Sequence, residues 1–342
     1  MLNLVKELCA LNGVSSFEDE VRAVIRRKVE PYAESIRVDA MGNLIVTKKG
    51  KKHVGTVMLA AHMDEVGLII HGITEEGYLR FRFIGGVDRR VTLGKPVRIG
   101  PKGIPGVIGL KAYHLVTEDE EKKIPKVEDL YIDIGADSKE EAGTLVEIGE
   151  FAAFDDGIVE FGDGLIKAKA LDDRVGCAVL IKLLREELPV DCTCVFTVQE
   201  EVGLRGAYGA AFSVKPDYAV VIEGTTAADA PTTARHKRVC APGRGPVIPV
   251  MDGRTIYDRG LFALMTAAAE KRGIPWQSKQ YISGGTDGGA IQRSRAGVRT
   301  VGIAAAVRYL HSPSSVASIR DLELLHRLAK GFLEDLGGKY DA

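Results

Sequence analysis

The chain has few cysteines, no excess of either charge and no long apolar run, and each shortage excludes a class of protein. Only 5 of its 342 residues are cysteine, and the odd count without a C-x-x-C pair suggests neither a disulfide framework nor a thiolate zinc site. A formal net charge of −1 gives no general attraction to nucleic acid or to an anionic membrane. No apolar stretch approaches the roughly 20 residues that span a bilayer. We therefore expect a cytoplasmic protein with no nucleic-acid partner and no membrane partner.

The distribution of apolar residues divides the chain into two kinds of segment. Strand-like and helix-like patterns alternate in residues 1–72 and again in residues 166–342, which is typical of a sheet with helices on its faces. Residues 73–165 carry only short apolar runs separated by Gly, Pro and charged residues. That pattern predicts a small all-β unit, such as a barrel. The expected fold is therefore a discontinuous α/β domain, 1–72 and 166–342, with an all-β barrel domain inserted at 73–165.

Several local patterns predict particular elements. The residues Ser15-Ser16-Phe17-Glu18 have the form of a capping box before a helix. Residues 246–251 and 277–282 are expected to form strands. Asp287 follows a glycine-rich turn that lacks the Lys-Ser/Thr of a phosphate loop, and it is expected to cap a helix.

Histidine and acidic residues stand directly after several apolar runs, where the predicted strands end. In chain order they are His62 and Asp64 after 55–61, Asp172 after 165–171, Glu200 and Glu201 after 192–198, Glu223 after 218–222, and His311 beyond 300–305. Ligands of an open α/β sheet gather beyond the carboxyl ends of its strands. We therefore expect these side chains to converge.

Each of these residues also has a plain structural interpretation when it is taken alone. His62 and Asp64 could be a surface pair, Asp172 a helix cap, and Glu223 a turn acid. Two adjacent carboxylates after a buried strand, Glu200 and Glu201, nevertheless need a positive neighbour. Because imidazole and carboxylate together suit zinc, cobalt or manganese, and no H-E-x-x-H helix is present, we infer a pair of divalent metal ions.

Five motifs together resemble those of the tetrahedral aminopeptidase family, the glutamyl-aminopeptidase-like co-catalytic metallopeptidases. They are Ala61-His62-Met63-Asp64-Glu65-Val66-Gly67, Ala170-Leu171-Asp172-Asp173-Arg174, Val198-Gln199-Glu200-Glu201-Val202-Gly203, Gly284-Gly285-Thr286-Asp287 and Arg308-Tyr309-Leu310-His311-Ser312-Pro313. The resemblance runs from end to end. It implies a zinc-exopeptidase-like α/β fold, with a mixed sheet and helices on both faces, and an inserted barrel that makes subunit contacts.

The resemblance also implies an activity and a set of roles. The activity is removal of N-terminal residues from peptides at a centre of two divalent ions, zinc or cobalt, in a homo-oligomer of twelve subunits built from dimers. Many relatives have Asp where this chain has Glu223, whose longer side chain can still bind metal. The implied ligands are His62, Asp172 and Glu223 for one ion and Asp172, Glu201 and His311 for the other, with Glu200 as general base and Asp64 orienting His62.

Other functions remain open at this point. Paired carboxylates also cleave sugars in glycoside hydrolases, which need no metal and leave His62 and His311 unexplained. A metal-dependent deacylase would use the same ion pair. In a purely structural protein the ions would only stabilise the fold, but such sites are usually closed. The basic run 235–238, with Arg244, could favour acidic peptide side chains, although a solvated loop or a subunit contact explains it as well.

Overall fold

The computed structural model describes residues 1–339 and confirms the predicted fold class. A nine-stranded mixed sheet carries helices, and a closed barrel of six antiparallel strands accompanies it. The strands of the large sheet lie in the order β1-β2-β12-β3-β13-β14-β15-β11-β10, and those of the barrel in the order β4-β5-β8-β7-β6-β9.

The helices and strands have the following bounds. The α-helices are α1 (Leu2–Ala10), α2 (Asp19–Val29), α3 (Glu118–Glu121), α4 (Lys139–Leu145), α5 (Leu171–Arg185), α6 (Arg205–Val214), α7 (Arg259–Lys271), α8 (Gly288–Ile291) and α9 (Ile319–Gly338). The first strands are β1 (Ser35–Val38), β2 (Leu44–Lys48), β3 (Lys52–His62), β4 (Gly67–Ile73), β5 (Leu79–Ile84), β6 (Pro96–Ile99), β7 (Ile104–Gly109) and β8 (Tyr131–Asp133). The remaining strands are β9 (Phe151–Phe154), β10 (Val159–Phe161), β11 (Leu165–Ala168), β12 (Val190–Thr197), β13 (Tyr218–Thr226), β14 (Arg299–Arg308) and β15 (Ser315–Ser318).

The four central strands of the large sheet, β12, β3, β13 and β14, run parallel to one another. Their apolar runs are buried on both faces, as expected for strands covered by helices. Because the strands are parallel, their carboxyl ends meet at one edge of the sheet. The register places Thr197 of β12 opposite His62 of β3 at that edge.

Alternate residues of β3 face different helical layers, as the two-residue period of a strand requires. Val57, Leu59 and Ala61 belong to the larger core, which α1, α2, α5, α7 and α9 complete. Met58 and Ala60 belong to a smaller core on the other face, formed with α6 and α8. Helices therefore cover both faces, and helix α5 packs directly against β3 and β13.

The barrel lies between β3 and β10 in the chain, and its strands run from Gly67 to Phe154. Its interior is a separate apolar core that includes Leu68, Phe81, Ile99 and Ile132. The domain division at 72/73 and 165/166 stays a prediction. Across residues 1–339 no helix has both the length and the apolar character to cross a membrane.

The strands predicted at 246–251 and 277–282 are wrong. These segments form only isolated bridges, in which Val247 pairs with Ala304 and with Gln277. The prolines at positions 246 and 249 have no N–H to donate, so a continuous ladder cannot form there.

A largely buried ion pair joins the end of α7 to α9 and should make the free energy of unfolding depend on pH. Arg272 donates to both oxygens of Asp335 at 2.7 and 3.0 Å, and this hydrogen bonding lowers the pKa of Asp335. We expect Asp335→Asn to lower the free energy of unfolding at pH 7 by about 1 to 2 kcal/mol. The stabilisation from a lowered folded-state pKa is complete above the unfolded value of about 4 and is lost as the pH falls from there through the folded-state pKa, so the difference from wild type should shrink over that range.

Urea unfolding at pH 7 and at pH 3 would measure the effect of Asp335→Asn. Asp163→Asn is a matched control because Asp163 is exposed and makes no ion pair with residues 1–339. If Asp335→Asn lowered the free energy of unfolding equally at the two pH values, the pH dependence could not be assigned to this ion pair.

Candidate active site

The five residues that the sequence proposes as metal ligands lie together at the carboxyl edge of the parallel strands. Nε2 of His62 is 3.4 Å from Oδ1 of Asp172 and 3.5 Å from Oε2 of Glu223. Nε2 of His311 is 3.7 Å from Oδ2 of Asp172 and 3.2 Å from Oε2 of Glu201. Asp172 thus lies between the two imidazoles and turns one carboxylate oxygen toward each.

Separate elements bring these side chains together. His62 ends β3, Asp172 lies at the start of α5, and Glu201 belongs to the turn that follows β12. Glu223 lies within β13, and His311 follows β14 with a φ of 57°. All five, together with Glu200, line one cavity of about 260 Å³.

The barrel also contributes to this cavity. Gly86, in the loop that follows β5, lines it. Nδ1 of His311 lies 3.3 Å from the carbonyl oxygen of Gly86. One of the two imidazoles is therefore held between the α/β sheet and the barrel.

The second aspartate of the pair, Asp173, has a different environment from Asp172. Its Oδ2 accepts the backbone N–H of His62 at 3.2 Å and its Oδ1 accepts that of Gly176 at 2.9 Å. Two groups within residues 1–339 have ligand atoms close enough to share an ion: His62 with Asp173 and Glu223, and His62 with Asp172 and Glu201. Because both oxygens of Asp173 already accept backbone N–H groups, Asp172 is the better placed of the two aspartates to bind metal.

Asp64 supports two parts of the site at once. Nδ1 of His62 lies 3.1 Å from the backbone oxygen of Asp64 and 3.4 Å from its Oδ1. The Asp64 carboxylate also accepts the backbone N–H groups of Glu200 and Glu201 at 3.0 and 3.1 Å, and the hydroxyl of Ser15 at 2.6 Å. Asp64 therefore fixes the turn that carries both glutamates, a role that the sequence did not indicate.

Ser15 is a site residue that the sequence analysis missed, because its pattern predicted a capping box. Its hydroxyl binds Asp64, while Glu18 accepts the backbone N–H groups of Ser16 and Gln199 at 2.8 and 3.1 Å. Helix α2 begins at Asp19 without a side-chain cap. Asp287 likewise makes no capping hydrogen bond, and its buried carboxylate accepts the hydroxyl of Thr197 at 2.5 Å.

The electrostatics of the cluster fit a bound cation. Burial raises the pKa of Glu201 to about 7 and that of Glu223 well above its usual range, and neighbouring carboxylates add to both shifts. Burial opposes protonation of His311, but hydrogen bonding to Asp172 and the charge of Glu201 raise its pKa to about 9. The buried Oε1 of Glu223 has no hydrogen-bond partner among residues 1–339. Crowded buried carboxylates with a free ligand atom, next to two imidazoles, are the donor set that a divalent metal stabilises.

Glu200 differs from the other acids of the cavity. It lines the same cavity, yet its carboxylate belongs to neither group of possible ligands and makes no ion pair within residues 1–339. Burial raises its pKa well above the usual range, and Asp287 and Glu201 add to the shift. The site thus combines imidazoles and carboxylates at the carboxyl edge of a parallel sheet with one cavity acid that belongs to neither group of possible ligands. This arrangement is that of a metal-dependent hydrolase.

Comparison with known proteins specifies the family. The M42 glutamyl aminopeptidase family matches residues 42–328. A putative aminopeptidase of Acetivibrio thermocellus is 40% identical over 324 residues, 94% of this chain and 95% of that protein. The TET aminopeptidase from a marine sediment archaeon, Thaumarchaeota archaeon SCGC AB-539-E09, superposes with a TM-score of 0.93 at 36% identity, covering 98% of both chains. The TET1 peptidase of Pyrococcus horikoshii, which can assemble into a tetrahedron or a large octahedral shell, gives a TM-score of 0.86 at 37% identity over 97% of this chain and 98% of that one.

The chain belongs to the M42 glutamyl aminopeptidase family. It is a metal-dependent aminopeptidase, a peptide hydrolase, and the resemblance drawn from the five motifs is confirmed.

Proposed function

We propose that this aminopeptidase cleaves the N-terminal peptide bond at a dinuclear metal centre and uses Glu200 as its general base. The observation that carries the proposal is the position of Asp172, whose two oxygens face His62 and His311 at 3.4 and 3.7 Å. A carboxylate in that position suits a bridging ligand. The proposed ligands are His62, Asp172 and Glu223 for one ion and Asp172, Glu201 and His311 for the other.

Zinc and cobalt suit these nitrogen and oxygen ligands, since neither group of possible ligands within residues 1–339 includes a cysteine and the nearby Cys177 thiol donates to the carbonyl oxygen of His62. When bound, the ions would supply Lewis-acid polarisation of the scissile carbonyl and a water more acidic than bulk water. Glu200 takes the proton from the attacking water and passes it to the leaving amine. Its raised pKa suits a group that must hold a proton between these steps, and the N–H contacts to Asp64 hold its backbone in place.

The acidic lining of the cavity supports recognition of a free amino terminus. Asp172, Glu200, Glu201 and Glu223 all line it. Because two bound divalent ions would offset the charges of their carboxylate ligands, we expect the free α-amino group to ligate one ion or to contact an acidic side chain, and the nitrogen of an acylated terminus suits neither. That requirement would restrict cleavage to the first residue.

The assembly and location are proposals as well. Because the Pyrococcus horikoshii TET1 peptidase can form a tetrahedral shell, we propose that this chain forms a homo-oligomer, a dodecamer built from dimers. All five cysteines are free and buried, which fits the expected cytoplasmic location.

The function is tested with aminoacyl p-nitroanilides and their N-acetylated counterparts. We expect hydrolysis of the free-amine substrates only, loss of activity on exhaustive chelation and recovery with zinc or cobalt. The physical reason is that neither water activation nor carbonyl polarisation survives removal of the ions. Release of acetate from an acetylated substrate would support the deacylase instead. Cleavage of a soluble glucan that persists under chelation would support the glycoside hydrolase.

A further inference from the structure

Three charged side chains are buried together beside the acidic cluster. Glu65, Lys169 and Arg174 are only 2%, 8% and 0% exposed. Oε1 of Glu65 accepts hydrogen bonds from Nζ of Lys169 at 2.9 Å and from Nη2 of Arg174 at 3.3 Å. We call these three residues the charged triad. Within residues 1–339 none of them belongs to a group of possible metal ligands, so the proposed mechanism gives them no role.

The charged triad joins the two segments that carry His62 and Asp172. Glu65 follows His62 after the end of β3, whereas Lys169 and Arg174 lie on either side of Asp172. Its ion pairs therefore connect the end of one strand to the start of helix α5. The position of one metal-binding segment relative to the other depends on these contacts.

Arg174 holds backbone from three parts of the chain. Its Nε donates to the carbonyl oxygen of Met63 at 3.0 Å, and its Nη1 donates to that of Leu8 at 2.5 Å. A Cβ atom on Gly13 would lie 2.8 Å from Nη2 of Arg174, so only glycine lets the backbone come this close. The guanidinium group is thereby fixed by neutral acceptors as well as by Glu65.

The loop after helix α1 supports the other two members of the charged triad. The backbone N–H of Gly13 donates to Oε1 of Glu65 at 3.0 Å, and the N–H of Glu65 donates to the carbonyl oxygen of Gly13 at 2.9 Å. Nζ of Lys169 donates to Oδ1 of Asn12 at 2.9 Å. Each member therefore has its side chain fixed before any ion binds.

Very little space separates the charged triad from the proposed ligands. A cavity of about 10 Å³ is lined by Glu65 and Lys169 and also by Asp172, Glu201 and His311. A volume of this size holds at most about one water molecule. A displacement of the triad would therefore be transmitted to these ligands.

Stability alone does not explain why three charges are buried here. Desolvation of buried ion pairs is so unfavourable that apolar replacements are often neutral or stabilising. With two cations and one carboxylate, the charged triad also has a net positive charge, which repels a cation bound nearby. The geometry that the triad imposes on the two segments explains its presence better than either stability or charge.

We propose that Glu65, Lys169 and Arg174 are positioning residues that hold His62 and Asp172 at the separation that the bound ions require. The inference rests on the proposed dinuclear aminopeptidase function. Each member of the triad acts through the segment that it fixes and not by contact with an ion. The ligands then need less rearrangement when metal binds, which favours binding.

The metal affinity of Lys169→Met distinguishes positioning from the two other roles. Positioning predicts that the dissociation constants for zinc rise by about 10- to 100-fold, as for other outer-shell partners. A purely electrostatic role predicts tighter binding, because a cation near the ions is removed. A purely structural role predicts a lower free energy of unfolding with unchanged metal affinity. Competition with a chromophoric chelator measures the dissociation constants, and urea unfolding measures the stability.

Two further variants and a control accompany Lys169→Met. Lys169→Arg keeps the charge and the donors, so it should restore much of the metal affinity. Glu65→Gln keeps the shape but removes the charge that holds both cations, so it should weaken metal binding. Lys182→Met is the matched control, because it breaks an ion pair of α5 with Glu323, 2.8 Å long and outside both cavities, and it should keep the wild-type affinity.

Kinetics and spectroscopy at saturating metal give a second readout. Misplaced ligands should lower kcat by about 10- to 100-fold in Lys169→Met with little change in KM. The visible absorption of the cobalt-loaded protein reports the geometry of the ligands. We expect this spectrum to differ from wild type in Lys169→Met and to resemble wild type in Lys169→Arg.

Unchanged or tighter metal binding in Lys169→Met, with a wild-type cobalt spectrum, would overturn the positioning role. If Lys169→Met does not fold, Glu65→Gln decides the question, and a wild-type kcat and cobalt spectrum in that variant would overturn the role equally. Failure of the proposed function would look different. The wild-type protein would then bind fewer than two ions or leave aminoacyl p-nitroanilides uncleaved, whatever the variants do.

Discussion

Glu200→Gln should lower kcat by about 10²- to 10⁴-fold while the protein keeps its metal. The amide has nearly the shape of the carboxylate, but it cannot accept the proton of the attacking water or return it to the leaving amine. Neither group of possible ligands includes Glu200, and the Asp64 carboxylate holds its backbone N–H rather than its side chain. The substitution therefore removes the proton carrier and leaves the surrounding cluster intact.

Steady-state kinetics and elemental analysis of the same Glu200→Gln preparation would test this expectation. Glu270→Gln is the matched control, because it makes the same chemical change at an exposed position on α7 and should retain wild-type turnover. Near-normal turnover in metal-loaded Glu200→Gln would remove Glu200 from the mechanism. Loss of metal together with activity would instead indicate that Glu200 is itself a ligand.

Removal of a proposed ligand should change the number of bound ions in a way that depends on which ligand is lost. Glu201→Ala or His311→Ala should empty one position and leave the ion held by His62, Asp172 and Glu223. Asp172→Ala should empty both, since one oxygen of Asp172 faces each imidazole. We expect the affinity of the emptied position to fall by more than about 100-fold, the upper end of the effect of an outer-shell partner.

Elemental analysis after dialysis against a weak chelator would count the ions per chain. His236→Ala is the control, as His236 is exposed in a short 3₁₀ turn and should leave two ions bound. Two ions in His311→Ala, or none in Glu201→Ala, would contradict the shared-ligand arrangement.

The convergence of the acids and histidines could be predicted because strand periodicity and strand ends are properties of local sequence. Once β3, β12, β13 and β14 are parallel, their carboxyl ends must lie at one edge, and His62, Glu201, Glu223 and His311 are found there, although β13 continues past Glu223 to Thr226. The alternation of apolar residues likewise predicted helices on both faces of the sheet.

The supporting contacts could not be predicted, because they join backbone and side chains that are distant in sequence. Asp64 accepts N–H groups of residues 136 and 137 positions away, and no local pattern encodes that bond. Ser15 matched a helix-capping pattern, yet its hydroxyl donates to the carboxylate of Asp64, 49 positions away. Arg254 follows residues 246–251, which the sequence analysis wrongly predicted to be a strand, and only the tertiary fold brings it to the cavity.

The carbonyl of Gly86 beside His311 limits how freely the two parts of this protein can be recombined. Gly86 belongs to a barrel loop, whereas His311 follows β14 of the α/β sheet, 225 positions later. A chimera that carried the barrel of a distant relative would have to place a carbonyl oxygen where that of Gly86 lies, beside Nδ1 of His311. The loop after β5 therefore forms part of the active-site cavity as well as part of the barrel, and grafting experiments should preserve this loop before any other part of the insert.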